Sequence, residues 1–187
     1  MLLNRNGLLL WKKTIAWVRA IFVFGPQFEH NNTFVDALYT GKHTTRALRE
    51  QLRPLFEFGD PNSGDDVDRI VTQEERDKAV QLRALPKELH PDGDARLEQF
   101  VRGPIFDPEI SPLLADSLAD LPRAYVVTCG HDPLRDEGLL YVKRLRSARV
   151  GVNLKHYPKF THGHLGIDRQ NHIQKDLAAF LQRNGWL

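Results

Sequence analysis

The sequence predicts an α/β fold in which parallel strands are flanked by helices. Two short apolar runs that stop at glycine, "RAIFVFG" (Arg19–Gly25) and "AYVVTCG" (Ala124–Gly130), are typical of buried parallel strands. A third, more alternating run, "GVNLKHY" (Gly151–Tyr157), lies between two helical patterns. The order strand, helix, strand, helix predicts a parallel sheet with right-handed crossovers.

The two helical patterns follow the second and third strands. In "EGLLYVKRLRSA", Leu139, Val142 and Leu145 recur on one helical face. In "NHIQKDLAAFLQRNGWL" a second apolar face consists of Ile173, Leu177, Phe180 and Leu181, and Gly185 is a suitable stop.

Residues 31–110 form a more polar segment, which we interpret as a helical, cap-like insertion over the sheet edge. Helices are predicted near Thr44–Phe56 and Thr72–Leu85. The stretches "GDPNSGDD", "LHPDGD" and "RGPIFDPE" are interpreted as loops because glycine, proline and aspartate interrupt regular structure. A disordered linker is the alternative, and the apolar residues of "ALREQLRPLFEF" argue against it.

Composition limits the class of protein. The 187 residues are 41% apolar and 27% charged, which is typical of a globular domain. The 26 basic and 24 acidic residues are interspersed and the net charge is +2, so nucleic acid is not an indicated partner. The single cysteine, Cys129, lies in an apolar strand and is predicted to be a buried thiol rather than a nucleophile.

Residues 1–18 form an unassigned amino-terminal extension. Its apolar residues are interrupted by Arg5, Lys12 and Lys13, and Arg19 follows, so no continuous run of roughly 18 apolar residues predicts a membrane span. The segment only loosely resembles a secretory signal, which leaves targeting open.

Two side chains follow the second and third strands and could share acid–base chemistry. Asp132 comes two residues after Gly130 and His162 five after Tyr157, so both are predicted at the carboxyl edge of the sheet. A carboxylate that accepts the imidazole Nδ1 proton stabilises the imidazolium formed when the histidine acts as a base. The alternatives are an Asp132 that caps a helix before Pro133, and a His162 that is an ordinary loop residue.

The stretch from Ser111 to Leu165, with "GHDPLRDEG" and "HYPKFTHGHL", closely resembles the carboxyl-terminal part of the hormone-sensitive-lipase-like α/β-hydrolases, which include arylacetamide deacetylases and bacterial esterases. The resemblance implies that Asp132 is the acid and His162 the base of a catalytic triad. It further implies a small or lipophilic acyl ester or amide substrate, no metal or organic cofactor, and a cytoplasmic or endoplasmic-reticulum-associated protein. Lys159 and His164 depart from the usual residues of this loop.

In that family a G-D-S-A-G serine attacks the substrate and an H-G-G-G loop stabilises the oxyanion. None of the four serines of this chain has a glycine two residues away on each side, and no two glycines are adjacent. We therefore expect the sequence to begin after the family's serine, to form a partial hydrolase domain over residues 19–187, and to lack serine-esterase turnover in isolation.

Three origins remain open for such a chain: a fragment, a splice product or a decayed paralogue. A non-catalytic binding or regulatory module is the alternative function, and an unpaired sheet edge predicts association. A weaker alternative is a metal site built from the "HGH" stretch with His172, Asp168 or His131.

Overall fold

The computed structural model describes residues 31–77, 92–164 and 172–186. The predicted strand Arg19–Gly25 and the extension at residues 1–18 lie outside the described residues. The prediction of a strand there, and of the domain boundary after residue 18, therefore stays a prediction.

Short helices make up the described part of the amino-terminal half. They are α1 (Asn32–Thr40), α2 (Arg46–Leu52), α3 (Asp66–Ile70) and α4 (Ala95–Phe106). A 3-10 turn, Arg53–Phe56, continues α2, so the predicted helix at 44–56 is confirmed. Of the predicted helix at 72–85, residues 73–77 are helical and residues 78–85 lie outside the described residues.

The interpretation of "RGPIFDPE" as a loop is wrong for its first five residues, which form the end of α4. The first turn of this helix is stabilised because the Asp94 carboxylate accepts hydrogen bonds from the backbone N–H groups of Arg96 and Leu97, at 3.0 and 3.1 Å. Pro104 removes one backbone donor two residues before the helix ends at Phe106, where little of the hydrogen-bond ladder is left to disrupt.

A strand, helix, strand unit forms the centre of the carboxyl-terminal half. Strand β1 (Ala124–His131) pairs in parallel with β2 (Val152–Thr161), and helix α5 (Arg135–Ser147) connects them. The predicted order and parallel pairing are confirmed for these elements, which form a two-stranded sheet within the described residues.

Helix α6 (His172–Arg183) follows β2, and its predicted stop is confirmed. Gly185 has φ of +69°, and Trp186 N–H donates to Leu181 O at 3.0 Å, which closes the last turn of the helix.

Strand β2 is longer than the predicted run to Tyr157, because it continues through a bulge. Cys129 is opposite Tyr157, but His131 is opposite Thr161, so β2 has two more residues than β1 over this stretch. A Cβ atom on Gly130 would lie only 2.0 Å from the carbonyl oxygen of Pro158. Glycine at position 130 therefore allows the backbones of β1 and β2 to approach closely at the bulge. The bulge places the last residues of the two strands opposite each other.

Hydrophobic residues cover both faces of the sheet. On one face, the α5 residues Leu139 and Val142 are fully buried with Val67 and Val71, which come from the segment around α3. On the other face, Phe180 of α6 is 1% exposed and packs on Tyr125 with ring centroids 4.8 Å apart. Part of the segment predicted as an insertion thus shares the core of the sheet, while its description as a cap stays a prediction.

Candidate active site

Asp132 and His162 are brought together at the carboxyl ends of the two strands. Asp132 follows the last residue of β1, and His162 follows the last residue of β2. Because parallel strands end at the same edge of a sheet, the two side chains meet there, with 3.0 Å between His162 Nδ1 and Asp132 Oδ2. The side chains are 39% and 15% exposed respectively, so the imidazole lies at the surface over a more buried carboxylate.

The two oxygens of Asp132 have different partners. Oδ1 accepts the backbone N–H of Leu134 at 2.8 Å, and the backbone carbonyl accepts the N–H of Arg135 at 3.0 Å. These bonds close the turn that contains Pro133, while Oδ2 remains directed at His162. The helix-capping interpretation is therefore wrong, because α5 begins at Arg135 with Leu134 at its N-cap and no side-chain cap hydrogen bond. Asp132 instead orders the turn before the helix with one oxygen and contacts the imidazole with the other.

The hydrogen bond to Asp132 determines the tautomer of the neutral imidazole. A carboxylate can only accept, so His162 must donate from Nδ1, and the Nε2 lone pair is the basic one. A base arranged in this way can take a proton at Nε2 while the carboxylate stabilises the positive charge that develops on the ring.

Stacked aromatic rings fix the loop after β2. His164 stacks on Phe160 with ring centroids 3.7 Å apart, and Phe160 stacks on Tyr157 at 4.9 Å. The Tyr157 hydroxyl donates to Asp176 of α6 at 2.6 Å, which links the loop to that helix. Between the histidines, Gly163 has φ of +74°, a conformation that favours glycine. The stack involving His164 was not predicted from the sequence, although the aromatic residues of "YPKF" were an available signal for it.

Cys129 is a buried residue of β1, as predicted, with 8% exposure. Burial raises the pKa of its thiol, and the nearby Asp132 carboxylate raises it further. A thiol in this environment is a poor nucleophile, which agrees with the interpretation of Cys129 as a structural residue.

All four serines lie in the described residues, and three of their hydroxyls make hydrogen bonds within their own region of the chain. The Ser63 hydroxyl donates to Asp68 at 3.4 Å, and the Ser147 hydroxyl donates to the backbone carbonyl of Lys143 at 3.0 Å. The Ser117 hydroxyl accepts the backbone N–H of Ala119 at 3.1 Å. Ser111 directly precedes the 3-10 turn Pro112–Leu114. Within the described part of the chain, the His162 ring is hydrogen-bonded to Asp132.

Metal sites and membrane-spanning helices can be assessed for residues 31–77, 92–164 and 172–186. They contain no group of three metal-binding side chains, and Asp168 of the proposed metal site lies outside them. No helix among them is long and apolar enough to cross a membrane.

A family model described as alpha/beta hydrolase fold matches residues 69–166, just over half of the chain. Neutral cholesterol ester hydrolase 1 of Mus musculus is 33% identical over 144 residues, which are 73% of this chain and 30% of that protein. Arylacetamide deacetylase of Mus musculus is 44% identical over 97 residues, 49% of this chain and 24% of that protein. The chain thus spans less than a third of the length of these relatives.

The comparison with solved structures matches this chain to an ester-hydrolase from the metagenome of Lake Arreo. It is 25% identical in sequence, and the superposition covers 78% of this chain and 46% of that one, with a TM-score of 0.38.

Proposed function

Because this chain belongs to the α/β-hydrolase fold family, with carboxylic ester hydrolases among its relatives, we propose that Asp132 and His162 are the acid and the general base of a serine-type ester hydrolase. The observation that carries the proposal is the 3.0 Å contact between His162 Nδ1 and Asp132 Oδ2 at the carboxyl ends of adjacent parallel strands. Two loop residues separated by 30 positions meet in the orientation that acid–base catalysis requires.

The chemistry of the pair follows from its geometry. A serine hydroxyl within hydrogen-bond reach of His162 Nε2 would lose its proton to that nitrogen as its oxygen attacks the acyl carbon. Asp132 stabilises the resulting imidazolium through Nδ1–H and does not itself take the proton. The imidazolium then returns the proton from Nε2 to the leaving alcohol or amine, and a second cycle with water releases the acid.

The substrate we propose is a small or lipophilic acyl ester or amide. Two features of the relatives support it: one is named as a cholesterol ester hydrolase and the other as an arylacetamide deacetylase. One acid–base pair can serve both bond types, because both reactions transfer an acyl group through a tetrahedral intermediate.

We further propose that this 187-residue chain has no serine-esterase turnover by itself. Two observations support this proposal: none of the four serines has a glycine two residues away on each side, and three of their hydroxyls make hydrogen bonds within their own region of the chain. Each oxyanion donor that is lacking raises the barrier by roughly 3 kcal/mol, and members of a triad depend on one another.

Labelling of the purified, folded chain with a fluorophosphonate probe tests this proposal. We expect no stoichiometric adduct on any serine, and p-nitrophenyl butyrate hydrolysis no faster than that of the Ser63→Ala variant. An active serine esterase labelled in parallel is the positive control. One equivalent of probe on a single serine, together with turnover that disappears when that serine is replaced by alanine, would contradict it.

A non-catalytic binding or regulatory module remains the second candidate. The partly exposed His162 beside a buried acid, with no serine bonded to it, favours this candidate for the isolated chain. If the chain is such a module, we expect a non-hydrolysable phosphonate ester analogue to bind the folded chain, as measured by calorimetry. Binding that is unchanged in the His162→Ala variant would show that the site does not take part.

A further inference from the structure

A segment that precedes the strands is attached along helix α5 by ion pairs. We name residues 58–76 the strap. Three basic residues of α5 contact its acidic residues in reverse sequence order, so that the strap runs antiparallel to the helix: Arg146 with Asp65 and Asp66 at 3.2 and 2.5 Å, Lys143 with Asp68 at 2.8 Å, and Arg135 with Glu75 at 2.8 Å.

The middle of the strap is buried and its charge is compensated. The side chain of Asp68 is 4% exposed and accepts hydrogen bonds from Lys143 at 2.8 and 3.0 Å. It accepts a further bond from the Gly59 N–H at 2.8 Å. Val67 and Val71, on either side of it, are fully buried against α5, so the strap is held by both apolar and ionic contacts.

The end of the strap reaches the turn of the catalytic acid through one residue, Arg135. Its side chain is 6% exposed and donates to Glu75 Oε1 at 2.8 Å and to Asp136 Oδ1 at 2.9 Å. Its backbone N–H donates to the carbonyl of Asp132 at 3.0 Å. Thr72 fixes Glu75 in turn, because its backbone N–H donates to Glu75 Oε2 at 2.9 Å. A chain of direct bonds therefore runs from the strap to Asp132.

Arg135 also carries a buried positive charge at the start of α5. Asp136 and Glu137 lie in the first turn of α5, close in sequence to the Asp132 carboxylate, and like charges repel. Arg135 places a buried positive charge among them. Burial alone would raise the pKa of Glu75, but the hydrogen bond from Arg135 lowers it below its usual value, so the pair is ionised at neutral pH. Nη2 of the same guanidinium is buried and has no hydrogen-bond partner among the described residues, so the bonds to Glu75 and Asp136 are made by the other two nitrogens.

We propose that the strap positions the catalytic acid, with Arg135 and Glu75 as the positioning residues that hold Asp132 Oδ2 against His162 Nδ1. The inference rests on the proposed function, because it assigns a role in keeping the acid–base pair assembled. Neither residue touches the imidazole; they act through the backbone of the turn and through the charge at the start of α5.

The Glu75→Gln variant tests this inference, since it keeps the shape of the side chain and removes the charge that binds Arg135. The readout is the solvent-exchange rate of the His162 Nδ1 proton, measured by ¹⁵N-resolved NMR at a pH at which the ring is neutral. We expect exchange about tenfold faster, which corresponds to about 1.4 kcal/mol lost from the hydrogen bond. The same loss is expected for Arg135→Lys, whose single ammonium cannot reproduce the two directed bonds of the guanidinium.

The control is Glu74→Gln, an equal charge change at the adjacent, exposed residue, for which the exchange rate should stay at the wild-type value. Chemical denaturation of each variant reports stability separately. The inference is overturned if Glu75→Gln and Arg135→Lys lower stability but leave the exchange rate unchanged. If the wild-type ring already carries its proton on Nε2, the proposed acid–base pair fails as well, so the two failures are distinguishable.

Discussion

Replacing His162 by alanine is expected to abolish ester hydrolysis by a hybrid enzyme in which residues 69–166 of this chain replace the matching segment of mouse arylacetamide deacetylase. Under the proposed function, this chain would supply the acid and the base, and the host would supply the serine and the oxyanion donors that the family resemblance implies. Loss of the general base removes proton transfer from the nucleophile, and we expect kcat to fall by about 10⁴-fold or more. The measurement is steady-state hydrolysis of p-nitrophenyl butyrate by both hybrids.

His164→Ala is the matched control for that experiment, because it is the same substitution two residues away in the same loop. Its ring stacks on Phe160, and His162 is the residue whose Nδ1 bonds to Asp132, so we expect the hybrid to keep its activity within about tenfold. A folded hybrid that is inactive with His162 present, or equally active without it, would contradict the role of base.

Gly130→Ala is expected to destabilise the chain by about 3 kcal/mol and to disrupt the contact between Asp132 and His162. The new Cβ atom would lie 2.0 Å from the Pro158 carbonyl oxygen, which is backbone and cannot move without shifting the bulge of β2. That bulge brings the ends of β1 and β2 level, so its displacement would also move His162. Chemical denaturation measures the stability change, and NMR of the His162 ring measures the disruption.

Gly151→Ala provides the comparison, because its Cβ atom would meet the side chain of Arg123 at 3.2 Å, and that flexible chain can move away. We expect a change below about 1 kcal/mol. Equal stability losses in the two variants would show that close approach at the bulge is not what requires glycine at position 130.

Local sequence patterns were sufficient for the strand, helix, strand unit and for the candidate site. Apolar runs located β1 and most of β2, and the apolar face containing Leu139 and Val142 located α5. Asp132 and His162 could be predicted to meet because each directly follows a strand, and parallel strands end together.

Features that depend on contacts distant in the sequence could not be predicted. The strap pairs Glu75 with Arg135 and Asp68 with Lys143, residues 60 and 75 positions apart, and no short pattern marks such pairs. The extension of β2 depends on the bulge opposite Gly130, which alternation does not reveal. A loop was predicted around Pro104 because proline interrupts regular structure. The structure shows that the helix capped by Asp94, ten residues earlier, continues through Pro104 and ends at Phe106.

The tautomer of neutral His162 tests the central claim most directly, because that claim requires the ring proton to lie on Nδ1, where Asp132 accepts it. A ¹⁵N-resolved NMR spectrum of the ring distinguishes Nδ1–H from Nε2–H. We predict that Nδ1 carries the proton in the wild-type chain, and that Asp132→Ala shifts the population towards Nε2–H because the carboxylate bonded to Nδ1 is removed. A wild-type ring protonated on Nε2, or a tautomer population that Asp132→Ala leaves unchanged, would contradict the account.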